Sequence, residues 1–322
     1  LLQGEAILSE AGRFALLTMG RSLRRAGYRG CDSARWPADL PANIPYEFDL
    51  LRGLQGYEAT GSSWAPGLAA TGLPTTAGST DTNRYAAATR RTGVNLNALR
   101  EGTDFFTVWF AGPAEYSVHT PRLTLATGDE KIMLTLRQSD VDHDLKQDHL
   151  ALIGDCDTES IFMITRLSNS GARALLEHNN TKRVGTGTGN VTARLGTGAG
   201  FRPGAHVLPI VSRTFYIGQA TNDNLFGAPV FSLFMKEGLR RPVELVEGVE
   251  DMQLQYGVAR GGASVPSAYL DANQVADFRD VVSVRLAVTA NSVDSAGTPA
   301  ADGILRRSFT STISLRNRLR SL

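Results

Sequence analysis

The sequence has few cysteines, almost no net charge and no long apolar run. Its 33 Lys and Arg residues balance 32 Asp and Glu residues, for a formal net charge of +1, so we expect no general attraction to nucleic acid or anionic lipid. No stretch of 18 apolar residues and no signal peptide is present. With 42% hydrophobic residues among 322, the chain as printed is predicted to be a soluble globular protein with a sizeable core.

The only two cysteines, Cys31 and Cys156, lack the close spacing of a zinc or redox motif. Two interpretations follow from the residues alone. Either the pair forms one disulfide that closes a long loop, or the two are unrelated buried thiols. A disulfide would indicate an oxidising compartment, the periplasm or the cell exterior.

Residues 1–26 have the apolar periodicity of a helix, which the basic residues before Gly27 and Gly27 itself bring to an end. Ile7 and Phe14 lie on one stripe, and Leu8 and Met19 lie on the neighbouring stripe. The chain is helical almost at once and has no cap signal of its own. We therefore expect this segment to be the second half of a longer helix, in a shortened soluble form of the protein.

Four further segments follow the helix. Residues 31–100 are rich in Gly, Pro, Ser and Thr and are predicted to form an irregular excursion. Residues 101–183 form a first set of strands, 184–200 a glycine-rich loop, and 201–322 a second set with clear alternation. One helix followed by many antiparallel strands predicts the α+β class. The predicted strands are 104–111, 131–136, 149–153, 160–165, 206–212, 213–217, 230–236, 243–246, 249–256, 281–289 and 309–315.

Alternate carboxylates at Asp140, Asp142 and Asp144 are typical of the start of a calcium loop. The match then fails, since Leu145 and Ala151 stand where the glycine and the closing glutamate belong. A solvated acidic loop is favoured over a calcium site, and no cofactor is expected.

The sequence carries no pattern that favours an enzyme. Its glycine runs fit neither a dinucleotide nor a phosphate loop, and it has no Gly-x-Ser-x-Gly elbow. Trp64, beside Pro66 in the irregular segment, is a candidate for a ligand-binding surface.

Several segments, in their order, resemble PilW-type minor pilins of type IV pili. The most specific are residues 245–257 (LVEGVEDMQLQYG) and 309–318 (FTSTISLRNR). Less specific matches are residues 12–15 (GRFA), 23–31 (LRRAGYRGC), 56–59 (GYEA), 102–104 (GTD) and 154–156 (GDC).

The resemblance implies a pilin fold, in which a long N-terminal helix packs on an antiparallel sheet within an enlarged β-rich body. It also implies a disulfide between Cys31 and Cys156 that ties the helix end to the body. The printed sequence departs from the family, because the basic leader and the apolar first half of the helix are missing from it.

In function, the resemblance implies a non-enzymatic subunit that primes pilus assembly and forms part of the tip complex that presents the adhesin. The implied partners are PilV-like, PilX-like and FimU-like minor pilins, the major pilin and the large tip adhesin. The implied location is the inner membrane and periplasm of a Gram-negative bacterium before assembly, then the pilus tip. Contact with the membrane is implied only through the missing half-helix.

The Ile7 and Phe14 stripe is expected to contact the body and to leave another helix face for neighbours, but the sequence does not assign the two faces. The candidates for partner contact are Ile7, Arg13, Phe14, Arg21 and Arg24. Two alternative functions stay open. One is a J-type pseudopilin of type II secretion, and the other is a direct glycan-binding adhesin that uses Trp64 and the glycine-rich loops.

Overall fold

The protein is mostly β. A computed structural model describes residues 2–30, 37–67, 99–112, 114–118, 131–135, 144–170, 173–185, 187–196, 201–202, 204–296, 298, 300 and 302–318. Strands account for 47% of the described structure and helices for 14%. The predicted α+β class is therefore wrong, and so is the implied pilin fold as a description of the whole protein. The helical periodicity ends within the first 26 residues, and period-two patterns and turns govern the rest, so one helix accompanies a body built from several antiparallel sheets.

The only α-helix among the described residues is α1 (Leu2–Arg25). Its buried stripe lies against the last two strands of the chain, and its small residues allow a close approach. A Cβ atom on Gly12 would lie 2.3 Å from a ring carbon of Phe309, whereas one on Gly20 would lie 3.6 Å from Ile313. The buried residues of this stripe are Leu8, Ala11, Ala15, Met19, Ser22 and Leu23.

Antiparallel pairing joins the strands into three sheets. In chain order the strands are β1 (Leu54–Thr60), β2 (Ser63–Ala65), β3 (Phe105–Ala111), β4 (Tyr116–Ser117), β5 (Lys131–Thr135), β6 (Leu150–Gly154), β7 (Glu159–Met163), β8 (Arg166–Ser170), β9 (Arg173–Glu177), β10 (His206–Asp223), β11 (Pro229–Glu237), β12 (Val243–Glu247), β13 (Val249–Val258), β14 (Ala268–Leu270), β15 (Val281–Asn291) and β16 (Arg306–Ser314).

The long strand β10 organises the nine-stranded sheet, whose main order is β12-β11-β10-β3-β1-β2. Its first part pairs with β4 and β6, and its later part pairs with β3 and β11. The sequence predicted two strands here, 206–212 and 213–217. They are one strand because the pairing with β3 runs unbroken from Ile210 to Phe215.

The four-stranded sheet has the order β14-β13-β15-β16 and carries the clearest alternation. Leu254 pairs with Leu286, and Met252 pairs with Val288. These side chains are buried, whereas the intervening Gln253 and Gln255 are exposed. One face of this sheet therefore joins the main hydrophobic core, which also takes in α1 and strands β1 and β3.

A second, smaller core lies around the three-stranded sheet β5-β9-β8. It brings Ile132 and Leu176 together with Phe162 and Val207 of the nine-stranded sheet. His178 is fully buried there beside Phe162, at 5.6 Å between ring centroids. Burial lowers the pKa of His178 to about 4, which keeps this histidine neutral.

The segment 31–100, predicted to be irregular, contains β1 and β2 in its described part. The sequence pattern did not indicate β1, because Gly56 interrupts the apolar residues of this strand. Tyr256 requires that glycine, since its hydroxyl lies 2.0 Å from where a Cβ on Gly56 would stand. Strands β8 and β9 were also missed, because β8 is polar and each strand has only five residues.

Candidate interaction surface

The outward face of α1 is the candidate interaction surface. We define it by seven exposed residues that lie opposite the buried stripe of the helix: Ile7, Glu10, Arg13, Phe14, Leu17, Arg21 and Arg24. The opposite side of α1 packs on the body, where Gly12 and Gly20 approach β16. The helix is therefore held in place while this face is left to solvent.

Three large apolar side chains stand on this face. Ile7 and Phe14 are each 42% exposed, and Leu17 is 50% exposed. Ile7 and Phe14 are seven residues apart, about two helical turns, and Leu17 follows Phe14 by three, so the three lie along one line of the helix. An exposed apolar line that runs along a docked helix is what a second amphipathic helix packs against.

This geometry corrects one expectation. The Ile7 and Phe14 stripe was expected to contact the body, but the neighbouring stripe with Leu8 and Met19 does so. The reason is steric. The close approach to β16 takes place at Gly12, and the residues that share its side of the helix are mostly small. Phe14 and Leu17, which lie away from this approach, are left outside.

The charged residues beside the apolar line are ordered along the helix, with acidic residues first and basic residues after them. Glu5 and Glu10 stand in its first half, and Arg13, Arg21 and Arg24 follow. This order matches the helix dipole, which favours acidic groups near the start and basic groups near the end. A partner helix with the opposite order of charges would complement this face.

Among the described residues, no helix combines the length and the apolar composition that a membrane span requires.

A separate acidic cavity of about 600 Å³ lies beside the four-stranded sheet. Glu58, Asp104 and Asp271 line one part of it, and Arg285 lines another. Burial raises the pKa of Asp104 to about 7, against the opposing effect of its two backbone hydrogen bonds. Burial, with the nearby Asp271, also raises the pKa of Glu58. Asp104 has a structural role, because its carboxylate accepts hydrogen bonds from β1 and β13.

Trp64 is not a surface residue, contrary to its prediction as a ligand candidate. It is 9% exposed, its indole N–H donates to the carbonyl of Thr103 at 2.9 Å, and its ring meets Phe105 edge-on. Its neighbours in sequence suggested a loop, but Trp64 lies on β2, which folds back on β1 and turns the ring into the core.

The predicted metal residues Asp140 and Asp142 lie outside the described residues, as does Cys31. Asp144 is described, and its carboxylate lies 3.5 Å from the guanidinium of Arg240. The described residues contain no cluster of three or more His, Cys, Asp or Glu side chains able to hold a metal ion. No sequence pattern indicates the acidic cavity, since Glu58, Asp104 and Asp271 are far apart along the chain and only the fold brings them together.

Comparison with protein families gives one match. Residues 214–317 match the family described as Type IV Pilus-assembly protein W, which is about a third of the chain. Comparisons with curated proteins and with solved structures found no match.

The matched region begins within β10 and contains all of the four-stranded sheet. It includes the two most specific segments of the sequence resemblance, 245–257 and 309–318 up to residue 317, and none of the earlier ones. Over residues 214–317 the chain is therefore PilW-like, and this likeness indicates involvement in type IV pilus assembly.

Proposed function

We propose that the protein is a non-enzymatic minor pilin that primes assembly of a type IV pilus and forms part of the tip complex that presents the adhesin. The observation that carries the proposal is the exposed apolar line on the outward face of α1, on a body whose last third is PilW-like. A subunit that acts by assembly needs such a face.

The outward face of α1 acts by packing beside the helix of a sister subunit. Ile7, Phe14 and Leu17 lose their remaining exposure on contact, and each contributes on the order of 1 kcal/mol. Arg13 and Arg21 then pair with acidic residues of the neighbour. These pairs select the partner and its register more than they add affinity.

The proposed partners are the PilV-like, PilX-like and FimU-like minor pilins, the major pilin and the large tip adhesin. The protein is proposed to reside in the inner membrane and periplasm before assembly and at the pilus tip afterwards. Its attachment to the membrane is proposed to need a half-helix that precedes Leu1.

A disulfide between Cys31 and Cys156 is proposed to tie the chain after α1 to the body. Two contacts support it. The guanidinium of Arg29 lies 3.4 Å from the carboxylate of Glu159, and the backbone N–H of Ala38 donates to the carbonyl of the same Glu159. Described residues on both sides of Cys31 in sequence thus reach a residue three positions after Cys156.

We do not propose the glycan-binding alternative, because Trp64 is buried. The family match is to the W protein of pilus assembly, and no contact on the described residues favours the J-type pseudopilin. Calcium has no proposed role.

The test is site-specific photo-cross-linking in cells that make the full-length protein. A benzophenone amino acid replaces Phe14 in one variant and Thr312, on the exposed side of β16, in the control. The proposal expects a cross-link from position 14 to another pilin subunit and none from position 312. It also expects Phe14→Glu to reduce the number of surface pili while the protein level stays unchanged.

Mass spectrometry of the mature amino terminus of the native protein complements this test. A processed, N-methylated residue followed by an apolar half-helix is expected. An ordinary secreted terminus, or pili of normal number in the Phe14→Glu strain, would contradict the proposal.

A further inference from the structure

A small cavity of about 350 Å³ lies at the carboxyl end of α1. Three arginines from two distant parts of the chain line it. Arg24 and Arg25 belong to the last turn of α1, and Arg316 begins the short 3₁₀ helix Arg316–Arg318. The side-chain amide of Asn317 donates to the carbonyl of Arg24 at 3.2 Å and holds the two elements together.

Described carboxylates compensate the positive charge of the cavity only in part, because Glu237 acts on Arg25 without pairing with it and Glu115 is one carboxylate among three lining arginines. No described carboxylate forms an ion pair with Arg24, Arg25 or Arg316. Glu115 is the one carboxylate among the lining residues, and it lies 3.3 Å from the imidazole of His206.

The position of Arg25 is fixed by its surroundings. Its guanidinium lies over the ring of Phe110, 4.5 Å from the centroid, and one of its nitrogens stands 3.3 Å from where a Cβ on Gly112 would be. Burial and the nearby Arg213 lower the pKa of Arg25. Glu237, which pairs with Arg213 at 2.8 Å, acts on the pKa of Arg25 in the opposite direction, and an anion in the cavity would add to its effect.

A purely local explanation covers only part of this arrangement. Basic residues in the last turn of a helix interact favourably with its dipole, which accounts for Arg24 and Arg25. The helix dipole does not account for Arg316, which lies near the other end of the sequence. It also does not account for the open cavity between the three arginines.

We infer that this cavity binds a carboxylate from an acidic segment of a partner protein. Guanidinium groups bind carboxylates with two parallel hydrogen bonds, and Arg24 and Arg316 are exposed at the rim. The remaining walls include Tyr28 and Leu208, which offer apolar contact to the methylene groups of a glutamate side chain. A bare phosphate gains nothing from those walls. The inference does not depend on the proposed role in pilus assembly.

The experiment is calorimetric titration of the purified chain with two probes, an acetylated and amidated tetraglutamate peptide and inorganic phosphate. The peptide is expected to bind more tightly than phosphate. Arg24→Gln with Arg316→Gln is expected to weaken peptide binding about tenfold or more, as expected for the loss of charge-assisted hydrogen bonds. Raising the salt concentration is expected to weaken binding as well.

The matched control is Arg260→Gln with Arg307→Gln, two exposed arginines outside the cavity. It removes the same charge and is expected to change the affinity less than about twofold, because net charge acts weakly at a distance in salt. If the double variant Arg24→Gln with Arg316→Gln melts at a lower temperature than the parent chain, Arg316→Gln alone is titrated in its place. Equal losses in both double variants, no peptide binding, or phosphate binding as tight as the peptide would overturn the inference.

Discussion

The carboxylate of Asp104 accepts a hydrogen bond from the backbone N–H of Leu254 at 2.8 Å, and thereby joins the start of β3 to the middle of β13. Its other oxygen accepts from the backbone N–H of Ala59 on β1 at 2.9 Å, and its own N–H donates to the carbonyl of Met252. One buried side chain thus links the nine-stranded sheet to the four-stranded sheet across 150 residues of sequence.

Asp104→Asn tests how this link depends on pH. Burial raises the pKa of Asp104 in the folded protein to about 7 from its ordinary 3.8. Between these two pH values the folded state holds the proton more strongly than the unfolded state, so the free energy of unfolding falls as pH rises from about 4 to about 7. The change is on the order of a few kcal/mol. The asparagine side chain of the variant does not titrate, so this slope becomes shallower, which urea unfolding at a series of pH values measures.

Glu58→Gln provides a comparison for Asp104→Asn. The pKa of Glu58 is also raised in the folded protein, so Glu58 likewise makes the free energy of unfolding fall as pH rises. Part of this pH dependence is therefore expected to remain in Asp104→Asn. At pH 8 Asp104→Asn is still expected to cost about 1 to 3 kcal/mol, because an amide cannot accept from two N–H groups through both of its terminal atoms. An unchanged pH slope in Asp104→Asn would refute the assigned pKa.

Tyr256→Phe is expected to leave stability unchanged or to raise it by about 1 kcal/mol. The Tyr256 hydroxyl is buried and has no hydrogen-bond partner among the described residues, so its removal relieves a desolvation cost. Tyr46→Phe is the matched control. The Tyr46 hydroxyl donates to Thr107 at 2.8 Å and lies 3.0 Å from the Tyr57 hydroxyl, so its loss is expected to destabilise by about 1 to 2 kcal/mol. Thermal melts that place the two variants in the opposite order would refute this account.

Gly12→Ala and Gly20→Ala test how α1 docks. Alanine favours a helix over glycine by about 1 kcal/mol, so both substitutions would stabilise α1 if space allowed. At Gly20 the nearest atom outside the helix lies at an ordinary 3.6 Å, and Gly20→Ala is expected to raise the melting temperature. At Gly12 the new methyl would lie 2.3 Å from the ring of Phe309, and overpacking is expected to lower stability by about 1 to 3 kcal/mol.

Phe309→Leu is expected to recover part of the stability lost in Gly12→Ala, because it removes the ring that the new methyl meets. The pair is close enough to couple, so the double variant is expected to be more stable than the sum of the two single changes predicts. Additive changes in the free energy of unfolding would show that α1 does not approach β16 at this point.

The elements that the sequence predicted best are those in which alternation and burial agree. Strand β15 was predicted as 281–289 and runs over Val281–Asn291, with Val284, Leu286 and Val288 buried. Patterns of this kind report one strand at a time. They do not report which strands share a sheet, which is why Asp104 and its partners on β1 and β13 were not found.

The misses have local physical causes. The described part of segment 184–200, predicted to be a glycine-rich loop, contains no strand, but the sequence pattern did not indicate that Asn190 is buried there. Its side chain accepts from the backbone N–H of Met163 at 2.6 Å and donates to the carbonyl of the same residue at 2.9 Å. A single amide that anchors a loop to β7 leaves no periodic trace in the sequence. Both stripes of α1 likewise carry large apolar residues, so the sequence pattern does not indicate that the side with Gly12 is the one that packs against Phe309.

Cys156→Ser tests the proposed disulfide by non-additivity. If Cys31 and Cys156 are bonded to each other, either serine substitution alone removes the same cross-link. Each is expected to cost about 2 to 5 kcal/mol, since the bond restricts a long loop in the unfolded chain. The double variant is then expected to cost no more than either single change, and a reductant is expected to destabilise the parent chain but none of the variants. Additive losses of the free energy of unfolding that do not respond to reductant would mean that the two thiols are unrelated. The end of α1 would then be joined to the body by contacts such as that of Arg29 with Glu159.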